Sequence, residues 1–124
     1  MAGGAGTDRV NDGAGADLIF GGGDADTFVY TATNHSTTAT RDRINDFRMI
    51  SDMFDLSGID ANTLVAGNQA FSLIGTAFTA AGQLRVVGNG ADTFVLGDVD
   101  GDGMVDLNIQ VAGVVALGAG DFVL

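Results

Sequence analysis

The chain has 124 residues, room for one domain with one core, and it carries a formal net charge of -11 with no cysteine and no proline. That charge repels DNA, RNA and anionic lipid, and no apolar run approaches the roughly 18 residues that would span a bilayer, so neither nucleic acid nor membrane insertion is expected. All 16 acidic residues are aspartate, lysine is absent and glycine fills 20 positions, a bias toward turns and hard-oxygen ligands that predicts an all-β fold with cations as its complement.

Residues 3 to 29 divide into three nonamers, GGAGTDRVN, DGAGADLIF and GGGDADTFV. Gly4, Gly13 and Gly22 occupy the second position, Asp8, Asp17 and Asp26 the sixth, and Val10, Ile19 and Phe28 the eighth. Gly6 and Gly15 hold the fourth position, where the third nonamer has Asp24; the second nonamer opens on Asp12 instead of glycine. The columns match the G-G-x-G-x-D-x-U-x nonapeptide, U being a large apolar residue. A flexible linker has no need of apolar residues in phase, and a phosphate loop needs a Gly-Lys-Ser/Thr ending that a chain without lysine lacks.

In such a repeat the glycine-rich half bends and the second half is a short strand with its eighth residue inward. Two nonamers make one coil of about 18 residues, which stacks Asp8 on Asp26. Carbonyls of the bends and two carboxylates of adjacent coils can then surround an ion with the roughly six to eight oxygens that calcium prefers. The candidate ligands are Gly4, Gly6, Asp8, Gly13, Gly15, Asp17, Gly22, Asp24 and Asp26. Two carboxylates about 4 Å apart repel by about 4 kcal/mol at an effective dielectric near 20, so ion binding and folding are expected to be one event. The partner of Asp17 two repeats on is His35, a poor calcium ligand, so Asn34, Ser36 or Asp42 must supply that oxygen.

These nonamers resemble the RTX repeats of bacterial proteins exported by type I systems, and that resemblance implies a parallel β-roll with calcium between its turns. After Tyr30 the polar run TATNHSTTAT reads as a loop, followed by RDRINDF and DMFDLSGID. Asp42, Ile44, Asp46 and Phe47, then Asp52, Asp55, Leu56 and Ser57, resemble the D-x-I-x-D-F and D-x-I-D-L-S segments that end the roll in serralysin-type metalloproteases. Similar modules follow the catalytic parts of some alginate epimerases and exopolysaccharide glycanases. Asp42 is well placed to close the last half-turn. Asp46, Asp52 and Asp55 read as surface charge alternating with inward Ile44, Phe47, Phe54 and Leu56.

Further on, Leu84 to Val87, Thr93 to Leu96 and Val105 to Val111 predict three antiparallel strands, with Gly88-Asn89-Gly90 as a hairpin connection. Asp98, Asp100, Asp102 and Gly103 copy the start of an EF-hand loop, yet position twelve is Ile109. A tight hairpin turn with exposed aspartates accounts for the stretch, and calcium binding by Asp98, Asp100, Asp102 and Asp106 is the alternative. The final Asp121-Phe122-Val123-Leu124 reads as a last edge strand whose removal leaves the fold largely intact. In the families resembled, an acidic residue followed by apolar ones at this place belongs to an uncleaved type I export signal.

The expected architecture is a short parallel β-roll of RTX nonapeptides, residues 1–30, and an antiparallel, sandwich-like capping and secretion module, residues 31–124, packed as one domain. Met1-Ala2-Gly3-Gly4 has no basic or apolar leader and starts inside a repeat, which suggests a larger parent. The function that the resemblance implies is a noncatalytic calcium-binding module that folds on calcium in the extracellular space after secretion by a type I ABC exporter, with a polysaccharide or an upstream catalytic domain as candidate partner. Catalysis finds no support: one histidine and no glutamate leave no H-E-x-x-H, and there is no cysteine nucleophile. An adhesion or polysaccharide-binding module is the alternative, disfavoured by the absence of tryptophan and the single tyrosine, Tyr30.

Overall fold

The computed structural model describes residues 3–11, 13–48, 51–113 and 116–124. Asp12 lies outside the described residues. Where each glycine-rich bend gives way to the D-x-U part of a nonamer, a strand of two or three residues forms: β1 (Arg9–Val10), β2 (Leu18–Ile19) and β3 (Thr27–Val29). The alternation of the strand turns Val10, Ile19 and Phe28 inward, and all three are buried. Pairing is parallel and skips one nonamer, with Arg9 opposite Thr27 and Val10 opposite Phe28, as a coil of two nonamers requires.

The segments after the loop continue both walls of this roll. β4 (Asp42–Ile44) lies parallel to β2 with Leu18 opposite Arg43, and β5 (Met53–Asp55) lies parallel to β3 with Thr27 opposite Met53. Three further elements, β6 (Ser72–Ile74), β7 (Gln83–Gly88) and β8 (Asp92–Asp98), lead to β9 (Leu107–Ala112) and the terminal β10 (Phe122–Val123). One sheet has the order β1-β3-β5-β10 and the other β2-β4-β9-β8-β7-β6. The predicted antiparallel trio is present as β7, β8 and β9, although β9 starts at Leu107 where the sequence suggested Val105. It is joined to the roll edge on, through parallel pairing of β4 with β9, so each sheet contains strands from both sides of residue 30.

One core runs between the two sheets. Phe47 and Phe54 stack at 4.8 Å between ring centroids, Phe54 and Phe122 at 5.5 Å, and Phe28 lies 5.9 Å from both Phe47 and Phe54. Ile19, Ile44, Val111, Ile109 and Val95 fill the facing wall. The C-terminal strand is part of this packing: β10 pairs parallel with β5, and Leu56 N–H donates to Val123 O at 2.9 Å. Removing the last four residues therefore takes a buried ring out of the core, and the expectation that the fold survives their loss largely intact is corrected.

Candidate metal centre

Stacking aligns the aspartates that precede each strand. On the β1/β3/β5 wall, Asp8 N–H donates to Oδ1 of Asp26 at 3.1 Å and Asp26 N–H donates to Oδ1 of Asp52 at 3.0 Å. The other wall repeats the relationship, with Asp17 N–H donating to Oδ1 of Asp42 at 2.9 Å. Each coil thus receives its predecessor's amide on a carboxylate oxygen, and the arrangement has one direction along the roll. Asp26, Asp42 and Asp52 are 1 %, 1 % and 2 % exposed.

The bends stack by the same rule. Gly6 N–H donates to Oδ2 of Asp24 at 3.1 Å, and Asp24 holds the left-handed φ of 68° that its place in the fourth column demands. Gly21 and Gly22 N–H donate to the two oxygens of Asp46 at 2.8 and 2.9 Å. Gly22 has φ of 96°, and a Cβ there would overlap the carbonyl of Gly4, so the two bends touch backbone to backbone. Gly4, Gly6, Gly13 and Gly15 also have positive φ, and a Cβ at each of them would meet open space.

What remains unused is informative. Among the described residues, the aspartate oxygens that are buried without a hydrogen-bond partner are Asp8 Oδ2, Asp17 Oδ2 and Asp26 Oδ2, the sixth-position residues of the three nonamers. A buried carboxylate oxygen without a donor costs free energy unless a cation or proton meets it. Burial accordingly raises the Asp26 pKa above its ordinary value; the Asp8 amide opposes this, and the charges of Asp52, Asp8 and Asp46 reinforce it. The donor set is oxygen alone, hard and anionic, and these orphaned atoms fit a calcium ion.

Asp42 and Asp52 differ from the nonamer aspartates in having both oxygens engaged. Oδ2 of Asp42 accepts from Tyr30 Oη at 3.0 Å, and Oδ2 of Asp52 accepts from Arg48 N–H at 2.9 Å. Asp42 is held in place by Ser36, whose Oγ accepts from Asp42 N–H at 2.9 Å and donates to the Asn108 carbonyl. Asn34 lies exposed in a 3-10 turn, Thr33–His35. The sequence pattern predicts Asp52 and Asp46 as surface charge, and the structure corrects this: Asp52 extends the Asp8/Asp26 column and Asp46 caps the last bend. The missed signal is the D-x-U unit itself, present in Asp42-Arg43-Ile44 and Asp52-Met53-Phe54 as in every nonamer but outside its nine-residue spacing. Asp55 does face outward, where the Ser57 hydroxyl and, next, Arg9 at 3.0 Å lower its pKa.

A second acidic group lies in the β8–β9 turn, where carboxylate oxygens of Asp98, Asp100, Asp102 and Asp106 all fall within 4.8 Å of one another. Asp100 and Asp102 are exposed as expected, but Asp98 is fully buried, because it organises the turn. Its Oδ1 accepts from Gly101 N–H at 2.8 Å and its Oδ2 from Gly103 N–H at 3.0 Å, while Asp106 accepts from Val99 N–H at 2.9 Å. The Asp102 amide lowers the Asp100 pKa, but burial, the Asp102 side chain and the Asp106 charge outweigh it and the net shift is upward.

No curated protein sequence is significantly similar to the chain. Among solved structures, the solution structure of the AlgE6R3 subunit from the Azotobacter vinelandii mannuronan C5-epimerase superposes with a TM-score of 0.66 at 28% sequence identity. The match covers 98% of this chain and 65% of that one, so the chain spans about two thirds of the subunit's length. The β-roll fold is shared with that subunit. A family model described as peptidase M10 serralysin C terminal matches residues 1–124, and a chain matched from end to end in this way belongs to the serralysin C-terminal family.

Proposed function

We propose that the chain is a noncatalytic module that takes calcium into its roll, folds on it outside the cell, and carries a C-terminal determinant for a type I exporter. The observation that carries this reading is the stacked pair Asp8 and Asp26, each with a buried oxygen that no protein donor meets. In this reading Asp8 and Asp26 are the charged ligands, and carbonyls of the bends at Gly4, Gly6 and Gly22 complete the shell. At low calcium the column's repulsion opposes folding; at calcium on the order of millimolar, the range of extracellular modules, binding to the folded state alone shifts the equilibrium.

The test is a calcium titration followed by circular dichroism, with magnesium as control. A full β signal in excess chelator together with no gain of thermal stability on adding calcium would sink the reading. For export, Val123→Ser with Leu124→Ser keeps the buried Phe122; undiminished secretion through a type I exporter would refute the signal role.

One observation favours polysaccharide binding as a second reading. On the outer side of the β4-β9-β8-β7 sheet, Arg41 lies 4.9 Å from the Phe94 ring centroid and Arg85 lies 5.5 Å from that of Phe78. Guanidinium on an aromatic face suits a carboxylated sugar. Retardation of the protein in gels containing an anionic polysaccharide, lost in Arg41→Ala with Arg85→Ala, supports it; equal mobility of parent and variant rejects it.

A further inference from the structure

The large apolar side chains that the fold leaves most exposed lie together. Leu64 and Met104 are 71 % and 70 % exposed, more than any other large apolar residue among the described residues, and Val65 is 50 % exposed. Thr63 ties the loop of Leu64 and Val65 to the β8–β9 turn, donating its N–H at 2.8 Å and its hydroxyl at 3.0 Å to the carbonyl of Val99. The turn closes against that loop: a Cβ at Gly101 would lie 3.6 Å from Cδ1 of Leu64, and Met104 follows in the same turn. A single exposed leucine is ordinary, whereas neighbouring apolar side chains on a fixed frame mark a surface that another molecule covers.

Charge and hydrogen bonding say what that molecule is. Asp100 and Asp102 stand exposed beside Met104, with carboxylate oxygens within 4.8 Å of those of Asp98 and Asp106. The chain has no lysine, its only arginine after Arg48 is Arg85, and the ion pairs among the described residues are made by Asp55 and Asp92. The rim of the surface is therefore acidic, and a cationic partner complements it. An added strand finds no free amides here, because those of Leu64, Val65 and every residue from Asp100 to Met104 already donate within the loop and the turn. Recognition then runs through side chains, as when a helix lays down its apolar face. We infer that the surface of Leu64, Val65 and Met104 docks a basic amphipathic helix of a partner protein, whose apolar face covers these side chains and whose lysines or arginines meet Asp100 and Asp102. The surface uses none of the stacked aspartates of the roll, so the inference is independent of the calcium reading there.

The experiment uses the whole chain in calcium and two synthetic leucine–lysine peptides of identical composition, one patterned with a single apolar helical face and one scrambled to have none. Affinities are read by fluorescence anisotropy at physiological salt, where attraction to a chain of net charge -11 is screened beyond roughly 8 Å. The patterned peptide is expected to bind and to shift the NMR amide signals of Leu64, Val65, Gly101 and Met104. Leu64→Ser with Met104→Ser is expected to weaken it about tenfold or more, as loss of the central apolar contacts should. Asp100→Asn with Asp102→Asn is expected to weaken it and to flatten its salt dependence. All four side chains are exposed, so the variants are expected to keep the parent's β signal and melting temperature. No binding of the patterned peptide, equal binding of the scrambled one, amide shifts confined to the roll, or unchanged affinity in the folded Leu64/Met104 variant overturns the inference.

Discussion

The backbone N–H of Asp8 donates to Oδ1 of Asp26 at 3.1 Å across a separation of 18 residues, and the other oxygen of Asp26 is buried with no partner. The hydrogen bond fixes the register of the first two coils on that wall. The unpartnered oxygen leaves the fold with an uncompensated interaction that a cation relieves. Asp26→Asn keeps an acceptor for the Asp8 amide and removes the charge. We expect it to be as stable as the parent or more stable in chelator, and to lose most of the calcium-induced rise in Tm, which for a parent at 100-fold excess over Kd corresponds to about 2.7 kcal/mol. Thermal melts of both proteins in chelator and in calcium decide it.

The same residue sets a pH dependence in chelator. The Asp26 pKa is raised in the fold above its ordinary value of 3.8, so its contribution to stability is fully present below that value and is lost as pH rises through the folded pKa. Asp55 works the other way: its pKa is lowered, and its contribution is present above 3.8 and lost as pH falls through the folded value. Urea midpoints of the parent should therefore fall relative to Asp26→Asn as pH is raised from about 4 toward neutrality. Parallel curves for the two proteins would show that Asp26 carries no such cost.

Phe122 stacks on Phe54 at 5.5 Å and is 6 % exposed. Phe122→Ala should cost about 3–5 kcal/mol, the range for a buried aromatic truncated in a core. Val123→Ala, at a position 42 % exposed, should cost well under about 1 kcal/mol. Urea denaturation in saturating calcium measures both, and near-equal losses would mean that β10 frays from the sheet.

Gly22→Ala and Gly13→Ala compare two glycines of the same column. Both have positive φ, but a Cβ at Gly22 meets the Gly4 carbonyl, while one at Gly13 meets open space. Gly13→Ala should show the strain of a left-handed alanine alone, about 1–2 kcal/mol. Gly22→Ala should exceed it and weaken calcium binding, because the first bend must move off the second. Equal stability and equal calcium midpoints for the two variants would contradict the contact between bends.

The sequence by itself determined the roll. The phase of Val10, Ile19 and Phe28 fixed which face of each strand goes inside, and the nine-residue period fixed that Asp8 lies over Asp26; both are local rules of alternation and coil length. The three antiparallel strands were legible for the same reason, from alternation and a Gly-Asn-Gly turn. Only the tertiary structure decided how the roll ends. Asp52 reaches Asp26 across 26 residues and Asp46 reaches Gly21 across 25, spacings set by the intervening loop and belonging to no repeat. Tyr30 meets Asp42 because parallel stacking of β4 on β2 brings the end of one wall against the start of the other. Which donor arrives beside a given carboxylate oxygen is decided in space, and the order of residues along the chain does not contain that information.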